Sequence, residues 1–305
     1  MKKMLYSIAG FLLVALARLP LGVLYVLSDL TWFVLCYIVG YRRRVIMRNL
    51  RACYPSKTEA ELKKITRDFY RNLSDYFFET VKLLHISDDE MARRLKFDNL
   101  DLIESILRDG RSVTVYFSHC FNWEWAPSVT LHLASLVEGK QVRFCQIYRP
   151  LRNEWFDRLM LGVRSRFGSV SIKKTRTLRD LVTFHRKGEL TVTGFMSDQK
   201  PSHGDPIHVI EFLRRPTAVI TGTAVLACRM STGVVYWDTV RERRGHYRIV
   251  TRPISDNASA MTPEDVTARY FKLLEQTIDR DPANWLWSHN RWKHPVTLPD
   301  NNNEQ

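Results

Sequence analysis

Residues 4–27 carry one charged side chain, Arg18, and this stretch of 24 residues exceeds the roughly 20 that a helix needs to cross a hydrocarbon core. A second apolar run, 30–41, brings Trp32, Phe33, Tyr37 and Tyr41, and then Arg42, Arg43, Arg44, Arg48 and Arg51 arrive within ten positions. Aromatic side chains beside a basic cluster are the pattern of a membrane–water boundary on the cytoplasmic side. A cleaved signal peptide would use Lys2 and Lys3 before an apolar core ending at Ala15-Leu16-Ala17. Cleavage there leaves an apolar new terminus, because the apolar character resumes after Arg18 and Pro20. A buried pair of soluble helices is the plain alternative, but the run lengths favour a retained membrane anchor over residues 1–41. One tilted helix and a shallow pair broken at Pro20 both satisfy the pattern, and both leave the rest of the chain on the cytoplasmic face.

Beyond the anchor the apolar spacing changes. Ser56-Lys57-Thr58-Glu59 has the form of a capping box, followed by an amphipathic stretch through Leu62, Ile65, Phe69, Leu73, Phe77 and Val81. Ser87-Asp88-Asp89-Glu90 repeats the start signal. Short apolar runs at Val113–Phe117, Val142–Tyr148 and Leu190–Met196 read as buried strands. Helices over 155–167 and up to Gly188 alternate with them. Residues 218–230 read as helical, 234–240 and 247–251 as a hairpin around Arg244-Gly245-His246, and 263–278 as a last helix. The alternation predicts an α/β fold: a layered mixed, largely parallel sheet flanked by helices, with an N-terminal membrane-anchoring helical segment. The expected organisation is an anchor over 1–41, an α/β domain over 42–297 and a flexible tail over 298–305.

The chain has 305 residues, 45% of them hydrophobic and 26% charged, which excludes wholesale disorder. Its formal charge of +14 points to an anionic partner. Five scattered cysteines without a C-x-x-C pair argue against a disulfide framework and a zinc ribbon. No G-x-G-x-x-G or Walker-type loop supports nucleotide binding.

The stretch Ser118-His119-Cys120-Phe121-Asn122-Trp123-Glu124 carries the chemistry. An apolar strand runs into a histidine, and a carboxylate follows five positions later. On one continuous helix those two side chains would stand roughly 140° apart. With His119 in a loop and Glu124 in the first turn of the next helix, Asn122 as its N-cap, they can meet. Glu124 would then fix the imidazole tautomer and leave the other ring nitrogen free to take a proton from a hydroxyl. Such a pair lacks its own nucleophile and suits acyl transfer onto an alcohol. A thiol nucleophile at Cys120 is the alternative, but adjacent residues near a strand end point apart, so a buried filler fits better.

The His119-x4-Glu124 pair resembles the H-x4-D/E signature of glycerolipid-type acyltransferases. The wider pattern is similar to the late acyltransferases of lipid A biosynthesis, the lauroyl/myristoyl transferase family. The features recur in order: the apolar N-terminus, Arg48-Asn49-Leu50, the His–Glu motif, Tyr148-Arg149-Pro150, Ser197-Asp198-Gln199, Pro216-Thr217-x4-Gly222-Thr223 and Trp285-Leu286-Trp287-Ser288-His289-Asn290-Arg291-Trp292-Lys293. Two stretches depart from the pattern, Trp125-Ala126-Pro127 and Lys200-Pro201-Ser202-His203-Gly204, which leaves acyl length and acceptor undefined. The resemblance implies His119 as general base with Glu124 orienting it. It implies Arg149 and Asp198 as a supporting pair, Arg149 near the developing oxyanion or a phosphate of the acceptor. Other basic residues, Arg164, Arg214, Arg241 and Arg244 among them, read as solvated faces or as contacts to anionic partners.

The resemblance therefore implies a membrane-anchored O-acyltransferase of the cell inner membrane, with its active site on the cytoplasmic face. Its donor would be an acyl carrier protein thioester and its acceptor a hydroxyl of a lipid A precursor, an anionic glycolipid. A lyso-phospholipid, ornithine-type lipid or other glycolipid acceptor keeps the same chemistry. A basic, membrane-tethered anion-binding protein without activity is the rival, and it leaves the His119–Glu124 motif without a role. No nucleic-acid motif is present, so nucleic acid is not an expected partner. No metal or nucleotide cofactor is expected, because a thioester is already activated and the spaced ligand clusters of a metal site are missing.

Overall fold

A computed structural model describes residues 2–133 and 141–298, so the expected tail over 298–305 lies, apart from Leu298, outside the described residues. Seven strands form one sheet: β1 (Leu95–Asp98), β2 (Val113–Phe117), β3 (Val142–Tyr148), β4 (Val170–Lys173), β5 (Leu190–Met196), β8 (Gly233–Arg243) and β9 (His246–Ser255). Their order is β1-β9-β8-β2-β5-β3-β4, and every neighbouring pair is parallel except the β8–β9 hairpin. The expected mixed, largely parallel α/β sheet is what forms. A separate two-stranded antiparallel sheet pairs β6 (Ile207–Glu211) with β7 (Pro216–Ile220).

The helices are α1 (Lys2–Arg18), α2 (Leu21–Phe33), α3 (Arg43–Cys53), α4 (Glu59–Lys82), α5 (Asp88–Arg94), α6 (Asp101–Arg108), α7 (Thr130–Leu133), α8 (Glu154–Ser165), α9 (Thr177–Arg186), α10 (Gly222–Arg229) and α11 (Pro263–Arg280). α4 starts one turn's fraction later than the Ser56 signal suggests: Thr58 is the N-cap, and it closes a capping box with Glu61. The helix expected over 218–230 is a correction. Residues 218–220 belong to β7, and α10 starts only at Gly222, because Thr217 and Val219 turn inward to complete burial against β6.

The central strands β2 and β5 are buried along nearly their whole length, as interior parallel strands must be. They pair in strict register from Val113 with Val192 to Phe117 with Met196. Gly194 makes the close approach possible: a Cβ there would stand 2.9 Å from the Phe117 ring.

The N-terminal segment is a broken pair, not one rod. α1 ends at Arg18, Pro20 precedes α2, and α2 runs on through a π-helical turn, Val34–Val39, to Gly40 at φ 61°. Leu21–Val39 is the one stretch, among the described residues, long and apolar enough to cross a membrane, by length and composition. Yet α2 lies along α4, burying Leu21 and Leu24 against Phe78 together with the polar Ser28, while Val23, Val26 and Leu30 face outward. Ser28 donates to Asp75 at 2.7 Å, Tyr25 donates to Glu79 at 2.9 Å, and Arg244 bridges Asp29 and Asp75. Lys82 donates to the carbonyls of Ala17 and Leu19 at the break. On the outer face Phe11 is 73% exposed, Val26 69% and Ile38 69%. Arg241 and Arg244, expected as solvated charges, are instead the cations that hold the buried Asp75.

Glu79 sits in this frame fully buried, and among the described residues no cation is bonded to it. Both its oxygens accept from Tyr247, and Tyr25 and Asn122 complete its shell. Burial, reinforced by the Asp75 charge, pushes its carboxyl up to about 7 from 4.5. A raised carboxyl means that the folded state binds the proton more tightly than the unfolded one. The Glu79 contribution to stability is therefore largest below about pH 4.5 and falls as pH rises from about 4.5 to about 7, by about 3 kcal/mol. Urea unfolding across that window should show this loss in the wild type and not in Glu79→Gln. Parallel pH profiles for the two proteins would contradict it.

Candidate active site

The register of β2 with β5 builds the site. His119 stands two residues past Phe117, and Asp198 two residues past Met196, the residue paired with Phe117. Two parallel neighbours continued by equal lengths deliver the two side chains side by side at the carboxyl end of the sheet. His119 Nδ1 lies 2.7 Å from Asp198 Oδ1, and the His119 backbone N–H donates to Asp198 Oδ2 at 3.1 Å. The Trp285 indole N–H donates to the same Oδ2 at 2.8 Å. Burial alone would raise the Asp198 carboxyl, but the His119 imidazole, the indole and the His119 amide outweigh it and hold the group at about 2. An ionised Asp198 can only accept, so the His119 proton is on Nδ1. Nε2 is then the lone-pair nitrogen, and the Gln199 side-chain amide stands 3.1 Å from it.

Glu124 does not reach His119. It does occupy the first turn of the helix that follows, a 3₁₀ helix over Trp123–Val129, as expected. Both its oxygens, however, accept from Arg164 of α8, at 2.8 and 2.6 Å. The side chain turns away from the sheet end toward α8, while the place beside His119 is taken by the strand neighbour Asp198. Arg164, expected on a solvated face, is the partner of a buried carboxylate.

Arg149 is not paired with Asp198 either. It is exposed just past β3, which lies beyond β5 from β2, and its charge is felt at Asp205. Asp198 directs its oxygens to the opposite side, toward β2 and Trp285. Cys120 is buried, and burial pushes its thiol up, away from nucleophilic use.

The loop after β2 is held in a strained form. Phe121 adopts φ 49°, its N–H donates to the Asn284 carbonyl at 3.2 Å, and Cys120 bridges Trp285. Asn122 donates to Glu79, and the Trp125 indole donates to the Glu79 carbonyl. The C-terminal segment that clamps this loop continues to α3: Asn49 donates to the carbonyls of Trp287 and His289, and Arg42 to that of Ser288. The segment around Trp285 thus joins the site, a role that spacing along the chain did not signal.

Trp123 packs edge-on against His119 at 4.9 Å and stacks on Tyr76 at 4.2 Å. Beyond it opens a cavity of about 550 Å³ with mostly apolar walls, including Leu35, Leu73, Tyr76, Phe77, Trp123 and Leu286, with His289 and Arg42 at its polar end. A narrow recess lined by His119 shares Leu73, Tyr76, Trp123 and Leu286 with this cavity. Arg42 also lines a second cleft, of about 550 Å³, with Arg43, Arg44 and Arg51.

A parallel α/β sheet that carries a histidine hydrogen-bonded to a buried carboxylate at its carboxyl end, near an apolar cavity, is the class of fold and site found in α/β enzymes. The comparisons agree with that class and narrow it. A family model described as bacterial lipid A biosynthesis acyltransferase matches residues 1–294, and the chain belongs to that family. It is similar to the lipid A biosynthesis palmitoleoyltransferase of Escherichia coli, with 26% identity over 291 residues covering 90% of this chain and 89% of the relative. It is also similar to the lauroyltransferase of the same organism, 24% identical with 85% and 81% covered. The myristoyltransferase is 21% identical, with 81% and 73% covered. The protein is an acyl-transferring enzyme.

Removing one partner of a buried ion pair strands the other. Glu124→Ala and Arg164→Ala should each destabilise the fold by about 3 kcal/mol. The double variant should cost less than the two singles together, with a coupling of about 1–3 kcal/mol in urea unfolding. Additive losses would show that the two side chains do not depend on each other.

Proposed function

We propose that the chain transfers a fatty acyl group from an acyl carrier protein thioester to a hydroxyl of a lipid A precursor. His119 is the general base and Asp198 the residue that orients it. The observation that carries this reading is the His119–Asp198 hydrogen bond at 2.7 Å, which leaves Nε2 as the acceptor nitrogen. Nε2 takes the hydroxyl proton as the oxygen attacks the thioester carbonyl, and Gln199 gives way to the incoming hydroxyl. Glu124 serves the same site at one remove, by fixing Arg164 and with it the start of the helix that carries Trp123. Arg149, at the rim, meets anionic substrate or carrier rather than Asp198.

The apolar cavity beside Trp123 suits the acyl chain, and the arginine cleft that shares Arg42 with it suits the phosphates of a glycolipid acceptor. The N-terminal helix pair lies in the membrane interface, because its outward face is apolar and its inward face is bonded to the domain. The arginines that follow Gly40 then sit at the level of anionic headgroups, which fits an inner-membrane protein whose site faces the cytoplasm.

Transfer from a labelled acyl carrier protein thioester to a lipid A precursor tests the reading. His119→Ala should lose activity by about 10²- to 10⁴-fold, and Asp198→Ala should follow it closely, with far-ultraviolet circular dichroism unchanged for His119→Ala. Near-normal turnover in folded His119→Ala would remove His119 as the base.

A further inference from the structure

Three consecutive residues touch two imidazoles. Asp198 accepts from His119 Nδ1, Gln199 stands at His119 Nε2, and the Lys200 backbone N–H donates to His289 Nε2 at 3.2 Å. A backbone N–H has no acceptor role, so His289 Nε2 carries the lone pair and the His289 proton is on Nδ1. The two rings are held in the same tautomer, protonated on Nδ1, but leave opposite nitrogens free of a partner in the fold core. His119 offers an acceptor from Nε2, and His289 offers a donor from Nδ1. Among the described residues nothing accepts from that Nδ1–H, and His289 lines the apolar cavity, whose walls Leu73, Tyr76, Trp123 and Leu286 also line the adjoining recess of His119. Burial, with help from Arg291 and Lys200 against the pull of Asp198, pushes His289 down to about 4, so the ring is a neutral donor at physiological pH.

We propose that His289 is the electrophilic partner of His119: its Nδ1–H donates to the carbonyl oxygen of the acyl thioester and to the oxyanion that forms there. The proposal rests on the acyl-transfer reading above. In the forward step His119 Nε2 takes the proton of the acceptor hydroxyl while that oxygen bonds to the carbonyl carbon. The π pair of the carbonyl moves onto its oxygen, where the His289 N–H meets it. When the carbonyl re-forms, the C–S bond breaks and the sulfur leaves with the proton that His119 had taken. His289 keeps its own proton throughout, so atoms and charge balance without another reagent. A neutral imidazole suits this task, because it polarises the carbonyl without protonating the attacking oxygen.

The test separates this role from the base. An acyl thioester labelled with ¹³C at its carbonyl is bound to the full-length protein in detergent, and the carbonyl stretch is read by isotope-edited infrared difference spectroscopy. In His119→Ala, which blocks turnover, the stretch should fall below its value in free thioester. In His119→Ala combined with His289→Phe the fall should disappear. In otherwise native protein His289→Phe should lower kcat by about 10²-fold with KM for the thioester within about twofold. His289→Gln, whose amide can accept from Lys200 and still donate, should recover part of kcat, and it carries the test should the Phe variant fail to fold. An unshifted carbonyl in His119→Ala, the same shift with Phe at 289, or a change in KM alone would each overturn the proposal. A thioester that does not bind at all would overturn the acyl-transfer reading, and this proposal with it.

Discussion

Parallel pairing of β2 with β5 is the constraint from which the site follows. The two strands are interior, buried and in register, so neither can slip without turning an entire apolar set to the wrong face. Continuing each by two residues brings an imidazole and a carboxylate together from positions 79 apart in the chain. Neither side chain needs a long flexible reach, and the indole of Trp285 adds a third donor to the carboxylate. The charge on Asp198 is affordable in a buried place because three N–H groups meet it, two of them from His119 itself.

A second buried network fixes what the sheet does not. α4 presents Asp75 and Glu79 one turn apart: Asp75 is bonded to Ser28, Arg241 and Arg244, and Glu79 to Tyr25, Tyr247 and Asn122. The first carboxylate is neutralised by arginines, and the second is surrounded by neutral donors. Through Asn122 the same helix that holds α2 also holds the loop after His119. A carboxylate of this kind is costly where it stands, and what it contributes is position: one side chain fixes an N-terminal helix, a core strand and the loop after His119 together.

Much of this order is legible along the chain. The apolar N-terminus, the central strands, the capping signals of the helices and the strand-to-loop placement of His119 all follow from local pattern, which is where periodicity is informative. Pairing is not local. β3 and β4 lie between β2 and β5 in the sequence, so nothing in the spacing reveals that Asp198, rather than the nearby Glu124, arrives beside His119. Nearness in sequence makes Glu124 the natural partner, but α8 supplies the guanidinium that takes both its oxygens. The short strands β1, β4 and β6 carry too few residues for an alternation to stand out, and Arg164, Arg241 and Arg244 look like surface charges until their buried partners are known.

The polar attachment of α2 changes what the N-terminal segment is. A plain tether would present apolar side chains all around and could be exchanged for another helix of equal length. α2 instead buries Ser28 against Asp75 and gives Asp29 to Arg244, so its orientation about its own axis is fixed by the domain. With that rotation fixed, Thr31 and Leu35 face the cavity beside Trp123, and Val23, Val26 and Leu30 face outward. The helix is therefore a wall of the cavity as well as an apolar surface. Arg42 and His289 line the same cavity among its mostly apolar walls, so α2, the residues after Gly40 and the C-terminal segment meet at one place. The position of the outward apolar face relative to His119 is thus fixed, because strand, loop, α4 and α2 are joined by hydrogen bonds and not by a linker.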